Sequence, residues 1–381
     1  MLLWWAGSIS ARAAIQCPQV EYESRIAIDA RPGLRRRAFP YVRSLAQLAV
    51  AGGLLAGLLW RVDIRAVRDE LEGAALWWLP LAFVANLASD WFRAIRWQQF
   101  FQPIKRLSVP FLFAVAVLGV ATNLALPLRA GEFVRVQVLR RRTGLKASSI
   151  VATLVSEKLM DVVAFSTFIV LGIVLYEDAH FLWPLLLAYV SVFAAGLAAA
   201  RWLAGRAERE PDPASVAIAP AAVESRAAAW VRREMGSFGA GLQSFRRPRA
   251  MFHVVWASHA AWLCEAVMYY ACGRALGFDL SPAVYLLVVV AATIAVSVPV
   301  TQAGLGVFEI AISGLLVAFG VDAAQAAAFA IFSHVMLALP YFATGPLAAV
   351  ALRLSIPDIL SLRLGKTEPA EAATVEADVP A

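Results

Sequence analysis

Charged residues are scarce in this chain. Only 16% of its 381 residues are charged, 61% are hydrophobic, and the mean hydropathy is +0.69. Soluble domains carry about a quarter of charged residues, so this composition excludes an ordinary soluble domain. It indicates an integral membrane protein.

Cysteine, histidine and catalytic motifs are equally sparse. The three cysteines form no CxxC pair and the four histidines have no HExxH-type spacing, so we predict neither disulfides nor a metal site. The sequence has no P-loop, GxGxxG or GxSxG motif, which argues against nucleotide, dinucleotide and α/β-hydrolase chemistry. We therefore expect no cofactor and no catalytic residues.

Basic residues outnumber acidic ones, 34 to 27, but they lie between apolar segments and not in one aromatic–basic patch. This distribution is typical of cytoplasmic loops and not of nucleic-acid binding. We expect membrane lipids as partners, enzymes of lipid or glycan biosynthesis as further candidates, and no nucleic acid.

Long apolar runs predict an all-α polytopic integral membrane protein. A bilayer needs about 20 apolar residues per helix, and we expect about six to eight such helices plus two re-entrant or broken helices. The runs cover approximately 44–60, 75–92, 109–128, 150–176, 183–204, 251–273, 283–300 and 305–352.

Charge and composition divide the chain into three parts. Residues 1–43 form a basic, poorly ordered arm, 44–353 form the membrane domain with a basic loop at 205–250, and 354–381 form a polar, disordered tail. The positive-inside rule predicts that both termini and the loop are cytoplasmic.

The run 109–128 ends in an unusual polar stretch. The following loop, 129–146, is rich in Arg and Lys, and a full crossing at 109–128 would leave it outside, against the positive-inside rule. A re-entrant hairpin broken at Pro127 and Gly131 removes the conflict. The alternative is an ordinary kinked crossing with one loop that violates the rule.

The second half repeats this pattern in the opposite sense. Residues 283–320 are interrupted at Pro299, Gly304 and Gly306, which predicts a second hairpin entering from outside. An alignment of Gly144 with Gly320 gives a weak internal repeat. Inverted repeats with paired broken helices indicate a transporter site near the midplane.

Ionisable residues inside apolar runs are expensive and should face the protein interior. Glu157 and Asp161 share one helical face. With Asn123, Arg129, Glu132, Arg135 and Lys158 they form our candidate head-group site, because arginine binds phosphate through two parallel hydrogen bonds. The alternative is an ion-pair network that only fixes helix packing.

Other polar residues receive weaker interpretations. In the second half, Thr301, Gln302, Glu309 and His334 are candidate polar contacts. Arg93 and Arg96, followed by Trp97, could contact anionic lipid, but we interpret them as interfacial anchors at a span end. Asn86 and Glu265 are single polar residues in apolar helices, for which hydrogen bonding between helices is as good an explanation as a ligand.

The motifs at 123–135, 156–161 and 299–309 occur in an order that resembles the flippase-like family typified by the membrane domain of lysylphosphatidylglycerol synthase. The resemblance covers about 44–353. It implies a multi-pass protein of the bacterial inner membrane that translocates or presents phospholipid-type amphiphiles. Lys158 and His334 stand where the family commonly has arginine. The cytosolic synthase domain is absent from the sequence, so lysyl-lipid synthesis is not expected.

Our leading functional prediction is therefore a lipid translocase acting on a phospholipid or polyprenyl-phosphate-type amphiphile. One alternative is a membrane-embedded group transferase using Glu132 or Asp161 as general base. Another is a non-transporting partner in a lipid- or glycan-biosynthesis complex.

Overall fold

The computed structural model describes residues 47, 49–60, 62–126, 130–175, 182–209, 236–239, 242–297, 300–355 and 357–359, which are helical apart from their connections. The predictions for the arm 1–43, for Pro127, Arg129 and Pro299, and for most of the tail lie outside these residues. The helices are α1 (Ala49–Trp60), α2 (Ile64–Glu72), α3 (Leu79–Phe101), α4 (Val109–Ala125), α5 (Ala130–Thr143), α6 (Ala147–Leu175), α7 (Trp183–Arg209), α8 (Pro248–Ala275), α9 (Pro282–Ser297), α10 (Val307–Ala318) and α11 (Ala323–Ala351).

Proline marks the start of several helices. Pro80, Pro110, Pro248 and Pro282 each lie in the first turn of a helix, where a missing N–H costs nothing. α11 begins differently, because the Asp322 carboxylate accepts a hydrogen bond from the N–H of Ala324 at 2.8 Å.

Length and composition qualify three described helices to cross a bilayer: Ala147–Leu175, Trp183–Trp202 and Ala323–Ala351. Ile64–Glu72 with Leu76–Phe101 would form a fourth span bent by 67°. α8 has 28 residues but does not qualify on these criteria, and α1, α4, α9 and the segment Gln302–Ala318 are shorter apolar helices. The chain is a membrane protein with interrupted helical elements.

The short helices α4 and α5 fold back on each other, and we call this pair the first hairpin. A β-carbon on Gly119 would lie 2.6 Å from Cγ of Arg135, and one on Gly131 would meet the Gly119 carbonyl oxygen. Glycine is therefore required for this close approach. α9 and α10 form the second hairpin, joined by a turn in which Ala303, Gly304 and Gly306 all have positive φ.

The same succession of elements follows in both halves. After each hairpin comes a glycine with positive φ, Gly144 (70°) or Gly320 (84°), and then a helix of 29 residues, α6 or α11. Each hairpin's second helix also carries its acid in the third position, Glu132 or Glu309.

Two hydrophobic clusters surround these elements. One combines the end of α3 with the first hairpin and the first half of α6, around Trp97, Phe101 and Leu139. The other combines the later parts of α6 and α8 with the second hairpin and α11, around Tyr269, Tyr285 and Phe329. Polar side chains of α3 and α6 lie between the apolar residues of these clusters, and they form the candidate site.

Candidate functional site

Arg96 lies in the protein interior and pairs with α6. Its side chain is only 3% exposed, and Nη1 donates to Oδ1 of Asp161 at 2.6 Å and to Oγ of Ser258 at 3.3 Å. The same Asp161 oxygen accepts from Nε1 of Trp262 at 3.0 Å. Asp161 therefore joins α3, α6 and α8 at a buried point.

Arg135 of the first hairpin completes a second pairing with α6. Nη2 donates to Oε2 of Glu157 at 2.9 Å, and Nη1 lies 3.3 Å from Oε2 of Glu132. Its guanidinium stacks 4.1 Å above the centre of the Trp97 ring, a favourable cation–π contact. Oε1 of Glu157 is also 4.0 Å from Nη2 of Arg96, so Glu157 lies between two arginines.

A third pairing connects α3 with α8. Arg93 is hydrogen-bonded to Glu265, and its guanidinium lies 4.2 Å above the Trp262 ring. One turn earlier, Asp90 accepts a 2.7 Å hydrogen bond from the hydroxyl of Tyr341 on α11. Buried charges in hydrocarbon require partners of this kind.

These side chains form one charge network, defined here as Asp90, Arg93, Arg96, Glu132, Arg135, Glu157, Lys158, Asp161 and Glu265. With four basic and five acidic members, its formal charge is minus one when all are ionised. The Nε atoms of all three arginines are buried and find no acceptor among the described residues. Each of these arginines therefore has one N–H group that is not used within the described part of the network.

The structure brings together four of the seven head-group candidates: Glu132, Arg135, Glu157 and Asp161. Lys158 lies at the edge, with a side chain 70% exposed and Nζ 3.5 Å from Oδ2 of Asp161.

The head-group role of Asn123 stays a prediction, and the structure shows a contact of its side chain within the first hairpin. Its Oδ1 accepts from the N–H of Gly131 at 2.7 Å, so it ties the end of α4 to the start of α5.

The interpretation of Arg93 and Arg96 as interfacial anchors is wrong. α3 continues to Phe101, beyond the predicted end at 92, and Trp97 is fully buried. Asp90 was not identified from the sequence. The signal was present, because Asn86, Asp90, Arg93 and Trp97 share one helical face.

Asn86 and Glu265 make hydrogen bonds between helices, which was one of the two explanations left open for them. Nδ2 of Asn86 donates to the carbonyls of Met336 and Leu337 on α11, at 3.3 and 3.1 Å. Glu265 pairs with Arg93.

Polar residues of the second hairpin and His334 of α11 form a separate, smaller cluster. Nδ1 of His334 is 2.7 Å from Oε1 of Glu309, and Nε2 is 3.2 Å from the carbonyl oxygen of Ala303. The other oxygen of Glu309 accepts from the N–H of Gly306 at 2.6 Å. Thr301, which precedes Gln302 in the sequence, is buried, and its Oγ1 has no hydrogen-bond partner among the described residues.

Gln302 connects the two hairpins. The two N–H groups of its Nε2 are shared among the carbonyl oxygens of Asn123, Leu124 and Leu126, which lie at 3.1, 3.3 and 3.0 Å. Backbone carbonyls at a helix end have no intrahelical partner, and a side chain from the other half of the chain supplies one here.

Taken together, these features define a polytopic α-helical membrane protein with charges buried between its helices and two interrupted helical elements in contact. The chain belongs to the family described as the lysylphosphatidylglycerol synthase TM region, whose model matches residues 44–345. The family resemblance predicted from the sequence is thereby confirmed. No curated protein matches the chain.

Proposed function

We propose that this protein moves or presents a phospholipid or polyprenyl-phosphate-type amphiphile across the bacterial inner membrane, with the head group bound at Arg135. The family takes its name from the membrane region of an enzyme whose product is a phospholipid, which supports a role with lipids. The contact that carries the proposal is Arg135 between Glu157 and Glu132.

Charge balance indicates how an anionic head group would bind. The network is already negative by one when ionised, so a phosphate cannot simply be added to it. Glu132 is the more distant partner of Arg135, at 3.3 Å, and its side chain is 34% exposed, whereas that of Glu157 is 7% exposed. A phosphate that takes the place of Glu132 would gain a planar two-donor contact, and Glu132 would turn outward.

Helix lengths support re-entrant hairpins. At a rise of 1.5 Å per residue, α4 and α5 with 17 and 14 residues reach about 26 and 21 Å, short of the roughly 30 Å hydrocarbon core. α9 and α10, with 16 and 12 residues, reach about 24 and 18 Å and are also too short. We propose that the two hairpins enter from opposite sides as an inverted repeat, with both termini cytoplasmic.

We propose transport without covalent chemistry. The buried acids Glu157, Asp161 and Glu265 each have an arginine partner, an arrangement that suits charge balance better than a general base. The lipid tails would stay in the bilayer while the head group passes between the hairpins.

Reconstituted vesicles test this proposal directly. The purified full chain in phosphatidylcholine vesicles, with a trace of fluorescent phosphatidylglycerol, should make the inner-leaflet probe accessible to an external quencher. R135A should abolish this activity while circular dichroism stays unchanged. The control is R141A, because Arg141 is exposed on the same helix. Equal activity in R135A and R141A would refute the site.

The alternatives have their own outcomes. Turnover of a lipid-linked donor by the pure protein would favour a transferase. Activity that appears only with a co-purifying protein would favour a non-transporting partner.

A further inference from the structure

His334 and Glu309 meet where the second hairpin packs against α11. Both side chains are at least 92% buried, and the His334 ring stacks on Phe308 at 4.3 Å between centres. Nδ1 faces a carboxylate oxygen and Nε2 faces a carbonyl oxygen. Both ring nitrogens therefore point at acceptors.

This geometry fixes the number of protons. A neutral imidazole has one N–H and one lone pair, so it can donate to only one of the two oxygens. With Glu309 ionised, the remaining lone pair would face an oxygen lone pair in a buried place, which is unfavourable. Both contacts are favourable only when the pair holds one more proton, either as imidazolium beside carboxylate or as neutral imidazole beside a carboxylic acid.

We propose that His334 and Glu309 form a binding site for the proton that couples lipid movement to a pH gradient. The inference rests on the proposed lipid transport. The proton is taken from water on one side of the membrane and returned to water on the other, with no other reactant. The site is separate from the charge network, in which Glu157 and Asp161 are held by arginines.

Among the residues that the structure describes, few other charges face this pair. α1 and α4 carry no ionisable side chain, Tyr285 is the only ionisable residue of α9, and Glu309 is the only one of α10. Along α11, Tyr341 with its partner Asp90 and Gln325 with its partner Glu70 lie about 10 and 13 Å from His334 at 1.5 Å per residue. Beyond them, Arg93 and Glu265 of α3 and α8 neutralise each other. The local proton balance is thus governed by His334 and Glu309.

A chain of contacts leads from the proton site to the head-group site. Ala303, which accepts from His334, has φ of 52°, a left-handed conformation that alanine rarely adopts. Loss of the Nε2 contact would therefore let this turn relax. The preceding residue, Gln302, donates to the carbonyl oxygen of Asn123 at the end of α4, and the side chain of Asn123 accepts from the N–H of Gly131.

The last contact reaches the start of α5, the helix that carries Glu132 and Arg135. Deprotonation at His334 can thus alter the position of α5 through hydrogen bonds between adjacent residues. Coupling of this kind needs an element with two arrangements that both sites bias. The turn 300–306 is that element in this proposal.

Solid-state NMR tests proton occupancy without any transport. The full chain labelled with 15N-histidine has only four histidines, and loss of one signal set in H334N assigns His334. We expect either a doubly protonated ring or, in an infrared comparison with E309Q, a carboxylic acid at Glu309. A neutral His334 beside an ionised Glu309 from about pH 5 to about pH 9 would overturn the proposal.

Transport measurements test the coupling. One proton per lipid allows a gradient of about one pH unit to shift the transbilayer distribution of fluorescent phosphatidylglycerol by up to about tenfold. H334N and H334R should both still exchange lipid, but the pH gradient should no longer shift its transbilayer distribution. The control H259N changes a histidine on α8 and should behave as wild type. Wild-type exchange that ignores the gradient also overturns the proposal. Absence of exchange in wild type refutes the lipid transport itself, and the NMR result then decides the proton site.

Discussion

Gly131 packs against the backbone carbonyl of Gly119 with no room for a side chain. A β-carbon at Gly131 would also lie 2.7 Å from Oδ1 of Asn123, which accepts the Gly131 N–H. Backbone atoms of two packed helices cannot move aside as a flexible side chain can. This contact therefore sets the distance between α4 and α5, and with it the position of Arg135.

G131A should consequently destabilise the protein and reduce lipid transport. Overpacking of this kind costs about 1–3 kcal/mol, which should lower the midpoint of thermal unfolding in detergent. G314A is the matched control, since a β-carbon at Gly314 on α10 meets nothing within 4 Å and Ala is the better helix former. If G131A melts at or above the G314A midpoint, the close approach is not as tight as described.

Breaking the Arg96–Asp161 pair should be costly. D161N or R96Q leaves a buried charge without its partner, for which about 3–5 kcal/mol is typical. The double variant R96Q/D161N should be more stable than either single one, because it removes both charges. K158Q serves as the comparison, since the exposed Lys158 should contribute under about 1 kcal/mol to stability. Equal loss from K158Q and D161N would contradict this assignment.

The sequence predicted the interruptions and several residues that the structure brings together, but not all of their partners. Pattern and charge predicted interruptions near Gly131 and at 299–306, and placed Glu157 close to Arg135. They failed at Arg96, because an arginine at the end of an apolar run has the same pattern whether it reaches the interface or turns inward. Only the packing of α3 on α6 and α8, with Asp161 distant in sequence, distinguishes the two.

The contact made by Gln302 was even harder to predict from the sequence. Its partners are backbone carbonyls, which carry no side-chain signal, and they belong to the other half of the chain. The sequence could indicate a polar residue in a broken helix. It could not indicate the carbonyls that this residue would cap.

Removing the charge of Glu132 should strengthen lipid binding and slow lipid release. In the proposed exchange, the carboxylate competes with phosphate for Arg135, so E132Q should bind phosphatidylglycerol more tightly. It should also release the lipid more slowly, because the resting partner of Arg135 is weakened. Fluorescence binding titrations and the vesicle assay measure the two quantities separately. Weaker binding in E132Q than in wild type would argue against exchange at this position.

The geometry of Arg135 also predicts that lysine cannot replace it. R135K keeps the charge but loses the planar contact with Trp97 and the two-pronged contact with its carboxylates. We expect transport to fall about tenfold or more, equivalent to about 1.4 kcal/mol, with a smaller effect on thermal stability. R141K, on the exposed face of α5, should leave both unchanged. Wild-type transport by R135K would mean that charge alone is sufficient.

Gln302 offers the sharpest test of contact between the hairpins. Q302A removes the amide group, with its two N–H donors, from three carbonyls; solvent or small shifts can partly replace it, so we expect a cost of about 1 kcal/mol. Q302E is nearly the same size but places a carboxylate against those three acceptors, and the repulsion should cost more than the loss of the donor. The expected order of thermal midpoints is therefore wild type, Q302A, Q302E. Lowering the pH should move Q302E towards wild type, because the introduced carboxyl group regains an O–H donor when it is protonated. If Q302E is as stable as Q302A at neutral pH, Gln302 does not face the end of α4.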